Sequence, residues 1–120
     1  MIGIVDERSR ALIDIGVRKS PDSELVTVTA WIDTAFDGHL VFPMSLIEKL
    51  NLESLVQTEA ILADGKLVTL KTFVCYVDWF GEQIPLQVIA NESQLPLLGT
   101  ELLKDRDLHI NYADRRLTLD

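Results

Sequence analysis

The sequence predicts an all-β domain, a small barrel or sandwich with one or two short helices. Three observations predict it. Leu25 to Ile32 (LVTVTAWI) is rich in β-branched residues, which suit a pleated, half-buried strand. Asp64-Gly65 stands between two strand-like segments, a pairing of residues that favours a tight hairpin turn. Short apolar runs alternate with turn residues along the chain, and many short strands at even spacing build barrels or sandwiches.

The elements follow in order. Ala11 to Val17 (ALIDIGV) alternates apolar and polar near its centre and reads as a strand. Lys19 to Ser23 (KSPDS) is turn chemistry. In the strand from Leu25 to Ile32, Val26, Val28, Ala30 and Ile32 share one face. Thr27, Thr29 and Trp31 share the other, and the next residue of that row is Asp33. Asp33 to Gly38 breaks the pattern and reads as a turn, and Leu40 to Phe42 is a short strand. Pro43 opens a helix over Met44 to Leu50, because Pro is tolerated at the first helical position. Thr58 to Leu62 and Lys66 to Val77 are strands joined at Asp64-Gly65. Gly81-Glu82 turns the chain into Ile84 to Ala90, where Pro85 belongs near an edge or a strand start, since it has no N–H for a ladder. Gly99 to Lys104 is a short helix. Leu108 to Tyr112 and Arg116 to Leu119 form a last hairpin around Ala113-Asp114-Arg115.

Composition limits the classes of function. The chain has 120 residues, which fits a single domain over residues 1 to 120. Its 48% hydrophobic and 25% charged residues are ordinary for a globular protein. The net charge of −8 argues against nucleic acid as a partner and against anionic membrane surfaces. Cys75 is the single cysteine, so no internal disulfide forms and a reducing, cytoplasmic setting fits best. Met1 to Arg10 has no apolar stretch of signal-peptide type. Apolar runs elsewhere fall far short of the roughly 18 residues that span a bilayer.

The most informative segment is Ala30-Trp31-Ile32-Asp33-Thr34-Ala35-Phe36-Asp37-Gly38, in which an apolar strand delivers a carboxylate into a tight turn of small residues. Alone, such an Asp reads as a turn-former bonded to nearby N–H groups. A second element changes its weight. Leu97-Leu98-Gly99-Thr100 is an apolar pair, a Gly and a helix start, and a Gly after a buried strand marks close backbone approach. Between the two lies the hairpin tip Ala63-Asp64-Gly65-Lys66. Other candidates are bland. Cys75 lies in an apolar strand as a buried thiol. His39 and His109 are isolated and show no zinc-type spacing. His109 reads as solvent-facing, Trp31 and Trp79 as core or interface residues. No metal or cofactor is implied.

The order strand-Asp-Thr-small, helix, hairpin, apolar-apolar-Gly, short helix, hairpin resembles the retropepsin-like aspartic proteases over residues 11 to 119. The resemblance implies an acid-protease closed barrel with one or two short helices. It makes Asp33 catalytic, with Thr34, Ala35, Leu98 and Gly99 supporting the active-site loop. Ala63, Asp64 and Gly65 become the tip of a substrate-binding flap. Peptide hydrolysis by this route needs two carboxylates sharing a proton around a water. The sequence has one Asp-Thr-small element, so the resemblance implies a homodimer with one Asp33 from each subunit at a two-fold axis. The expected substrate is an extended peptide or protein. Ala35 stands where the family usually has Gly, and a positive φ at that place would strain Ala. The alternative is therefore a catalytically inactive dimeric module that binds peptides or serves as a scaffold. Asp37 occupies a position that often carries a structural ion pair in the family.

Overall fold

The computed structural model describes residues 1–55, 58–61 and 63–120. The strands are β1 (Ile2–Val5), β2 (Ala11–Arg18), β3 (Val26–Ile32) and β4 (Leu40–Pro43), then α1 (Met44–Leu50). After these come β5 (Glu53–Ser54), β6 (Thr58–Ile61), β7 (Leu67–Leu70), β8 (Thr72–Trp79) and β9 (Glu82–Asn91). The chain ends with β10 (Leu97–Leu98), α2 (Thr100–Leu103), β11 (Leu108–Asn111) and β12 (Arg116–Leu119).

One large sheet runs in the order β11-β12-β1-β2-β3-β10-β4-β9-β8-β5. A further pairing of β2 with β8 returns the ladder on itself through β3, β10, β4 and β9. That ring has the strand order of a barrel. β10 contributes just Leu97 and Leu98 to it, so the expected barrel is not fully closed. The hairpin of β6 and β7 forms a separate two-stranded sheet.

The period-2 pattern explains the core. Ala11, Ile13, Ile15 and Val17 of β2 point inward, with Val28, Ala30 and Ile32 of β3 and Cys75, Val77 and Trp79 of β8. Leu40, Phe42, Val88 and Leu98 complete the centre, each fully buried. Each such aliphatic side chain contributes about 1.5–3 kcal/mol by leaving water. Ile47 of α1 and Leu102 of α2 plug the same core from outside the sheet. The end of α1 is set by Asn51, in the left-handed conformation at φ 54° and ψ 48°. Its short polar side chain tolerates that region.

Several elements depart from the sequence expectations. Pro43 is the last residue of β4 and precedes the helix instead of opening it. Lys66 to Val77 is broken at Lys71 into β7 and β8. β1 and β5 carry no sequence signal. Ile-Gly-Ile-Val has no polar alternation, and Glu53–Ser54 is too short to show a period. Leu62, expected to end a strand, lies outside the described residues. Pro85 sits inside β9, opposite Tyr76 of β8, but β4 covers β9 only from Val88 to Asn91. The ring nitrogen therefore lies on a locally open edge, as a residue without an N–H requires.

Candidate active site

β3 carries Asp33 to the end of the ladder. The backbone N–H of Trp31 donates to Pro96 O at 2.8 Å and that of Asp33 to Leu98 O at 2.9 Å. β10 is thus the strap that holds the end of β3 in place. Past Asp33 the chain turns, with Phe36 N–H donating to Asp33 O at 3.2 Å. The Ala35 N–H donates to the Asp33 carboxylate at Oδ1, 3.0 Å away. One oxygen is therefore held by the loop's own backbone.

The loop is laced to the start of α2. Gly99 N–H donates to His39 O at 2.8 Å, Thr100 N–H to Phe36 O at 2.8 Å and Glu101 N–H to Gly38 O at 3.1 Å. Gly99 makes that approach possible. Its backbone is extended, φ −96° and ψ 179°, so conformational freedom is not the reason for Gly. A Cβ there would lie 2.3 Å from Gly38 O and 2.5 Å from Phe36 Cδ2. His39 serves through its carbonyl.

Ala35 is not among the residues with positive φ. The strain expected of Ala at this position is absent, because the turn closes without the left-handed region. Asp33 is half-buried, while Thr34 and Ala35 are exposed beside it. These three line an open cavity of about 590 Å³ together with Trp31, Leu97 and Arg10.

Arg10 and Trp31 were not legible as site residues, and Leu97 was legible only as part of the apolar pair before Gly99. Trp31 carried a partial signal, since it shares Asp33's row of β3. Arg10 carried none. It arrives because Leu12 pairs with Trp31 across β2 and β3. Its guanidinium sits over the Trp31 ring, 5.7 Å from the centroid. Asp6 holds it there, accepting from Arg10 Nε at 2.7 Å and from the N–H groups of Arg10 at 2.9 Å and Arg8 at 3.0 Å. Desolvation alone would raise the Asp6 pKa. The hydrogen bonds from Arg10 and Arg8 outweigh it and hold the carboxyl below its ordinary value.

The remaining sequence candidates divide. Leu98 is fully buried behind the loop and Gly99 is packed against it. Ala63, Asp64 and Gly65 form the tip of the β6–β7 hairpin, with Gly65 at φ +84° and Lys66 N–H donating to Asp64 Oδ1 at 3.0 Å. Among the described residues they do not line the cavity at Asp33. Ile61 and Leu67, paired below the tip, are 74% and 62% exposed. Asp37 is exposed and makes no ion pair among the described residues. Cys75 is buried, and burial pushes its thiol up to about 12, so it is no nucleophile. His109 is exposed on β11, as its alternation implied.

No protein-family model matches the sequence, and none of the curated proteins matches it either. Solved structures do match the fold. A retropepsin-like aspartic protease from Rickettsia conorii aligns with 99% of this chain and 88% of its own, at TM-score 0.72 and 17% identity. The EIAV protease, solved with the inhibitor HBY-793, aligns with 83% of this chain and 90% of its own, at TM-score 0.58 and 16% identity. The simian foamy virus protease covers 76% of this chain and 91% of its own, at TM-score 0.51 and 12% identity. At such identities the likeness carries the architecture and leaves the chemistry to the residues. The chain has the fold of the retropepsin-like aspartic proteases.

Proposed function

We propose that the chain is one subunit of a homodimeric aspartic endopeptidase. One observation carries the reading. Asp33 stands half-buried at the end of β3, one oxygen fixed by Ala35 N–H, and faces an open cavity in a fold whose solved neighbours are proteases. In this reading two subunits meet at their Asp33 loops. The carboxylates share a proton, because two like charges so close do not both ionise easily. The ionised one takes a proton from a water, which attacks the scissile carbonyl. The protonated one donates to the carbonyl oxygen. Collapse of the tetrahedral intermediate breaks the C–N bond as the amine takes up a proton. Thr34, exposed beside Asp33, holds the paired loops together. The hairpin at Ala63, Asp64 and Gly65 closes over the peptide and pairs with its backbone.

The test is a diverse peptide mixture incubated with concentrated protein between mildly acidic and neutral pH, beside Asp33→Asn, with cuts read by mass spectrometry. Cleavage by the parent and none by a folded, dimeric variant is the expected outcome. No cleavage by either, with both dimeric, would favour the non-catalytic peptide-binding module. The Ala35 methyl, exposed at the mouth of the cavity where the family usually has none, is the observation on that side.

A further inference from the structure

β10 ends too soon. It fills the row between β3 and β4 at Leu97 and Leu98 only, whereas β3 begins at Val26. The row beside Val26–Thr29 is therefore open on the side away from β2. A groove of about 380 Å³ occupies it, with β3 as one wall and Leu46, Lys49 and Leu50 of α1 as the other.

The backbone there is prepared for one. Trp31 and Asp33 send their N–H groups to β10. In an antiparallel ladder the direction alternates from residue to residue, so Thr29 and Thr27 point their N–H and C=O groups the same way, into the groove. No strand among the described residues pairs with β3 on that side before Trp31. Val26 and both Thr residues are exposed. The four residues offer about 13 Å of edge at roughly 3.3 Å per residue. Lys49 is the charged residue of the lining. Gln94 lines this groove and the Asp33 cavity alike, so the two are neighbours on either side of one side chain.

We propose that the groove is a second peptide-contact site, taking the flank of the peptide bound at Asp33 as an added strand beside Val26–Thr29. The segment it fits is extended and apolar, with free N–H groups and a carboxylate to meet Lys49. Thr29 precedes Asp33 by four residues, so the flank must span at least about 13 Å from the scissile bond. The origin of the segment rests on the peptide-binding reading of Asp33; the chemistry of the groove does not.

Amide hydrogen exchange on the full chain carrying Asp33→Asn tests this. The probe is acetyl-Val-Thr-Val-Thr-Asp at millimolar concentration; the control is the same peptide N-methylated at all five residues, which has no ladder donor in any register. The expected result is slowing of the Thr27 and Thr29 amides by about tenfold, with Trp31 unchanged because it is already bonded. Lys49→Glu should weaken the effect by about two- to fivefold. No slowing, or equal slowing by the N-methylated control, overturns the site. In a second arm the pentapeptide is joined to either end of a peptide the parent cleaves. KM should fall with kcat unchanged for one end, since the added contact binds ground and transition state alike. Unchanged KM at both ends overturns the assignment to the substrate flank. If the parent cleaves nothing, the protease reading fails while the exchange result still decides the groove.

Discussion

Gly99 and Ala35 show how differently two small residues constrain one loop. At Gly99 the obstacle is space: the carbonyl of Gly38 and the ring of Phe36 already occupy the place of a Cβ. Gly99→Ala should therefore cost about 1–3 kcal/mol, as overpacking does, read as a lower urea midpoint with an unchanged slope. At Ala35 the backbone is not in the left-handed region, so Ala35→Gly relieves no strain. It should lower stability by about 0.4–1 kcal/mol through the freer unfolded chain; a clear gain in melting temperature would contradict this. Cys75, with its thiol at about 12, should resist alkylation at neutral pH in the folded protein and react once it is unfolded. Asp6 sets a pH limit. Its folded pKa is depressed, so its contribution is present above its ordinary value of 3.8 and is lost as the pH falls through the lower folded value. In Asp6→Asn the acid limb of the stability profile should flatten just below about 3.8, read from melting temperature against pH.

Among the elements, the ones that announced themselves have a period or a turn. β2 and β3 alternate, β11 and β12 flank Ala113-Asp114-Arg115, and the Asp64-Gly65 tip was legible because Gly65 takes a positive φ that few residues accept. β10 did not announce its pairing, since two residues have no period. Its partners, β3 in parallel and β4 antiparallel, are remote in sequence. The site divides in the same way. Asp33 and Ala35 were legible because their contact lies within one local turn; Leu98 and Gly99 were legible as an apolar-Gly pattern, although their partners are remote in sequence. Arg10 was hidden because only the β2–β3 register brings it to Trp31. Arg10→Gln, tested by near-ultraviolet circular dichroism, should change the Trp31 environment while leaving the far-ultraviolet spectrum in place.

For the whole molecule, the proposed dyad makes activity a property of concentration. If each chain brings one Asp33, specific activity should rise with protein concentration and level off once the dimer is saturated. Sedimentation run beside the assay should show both midpoints together. Constant specific activity across dissociation would sink the shared site. Among the described residues no helix is long and apolar enough to cross a membrane.

The pairing of β1 has a consequence for how the molecule is made. β1 lies between β2 and β12, and Met1 exchanges backbone hydrogen bonds with Leu119 at 2.7 and 2.8 Å. While the ribosome is still adding residues, Ile2–Val5 can dock on Ala11–Leu12 but has nothing on its other side. Arg116–Leu119 reaches it only after translation of that strand is complete and the exit tunnel has released it. β12 thus finishes the edge that β1 began, and a nascent chain stalled before Arg116 would present an unfinished edge to chaperones.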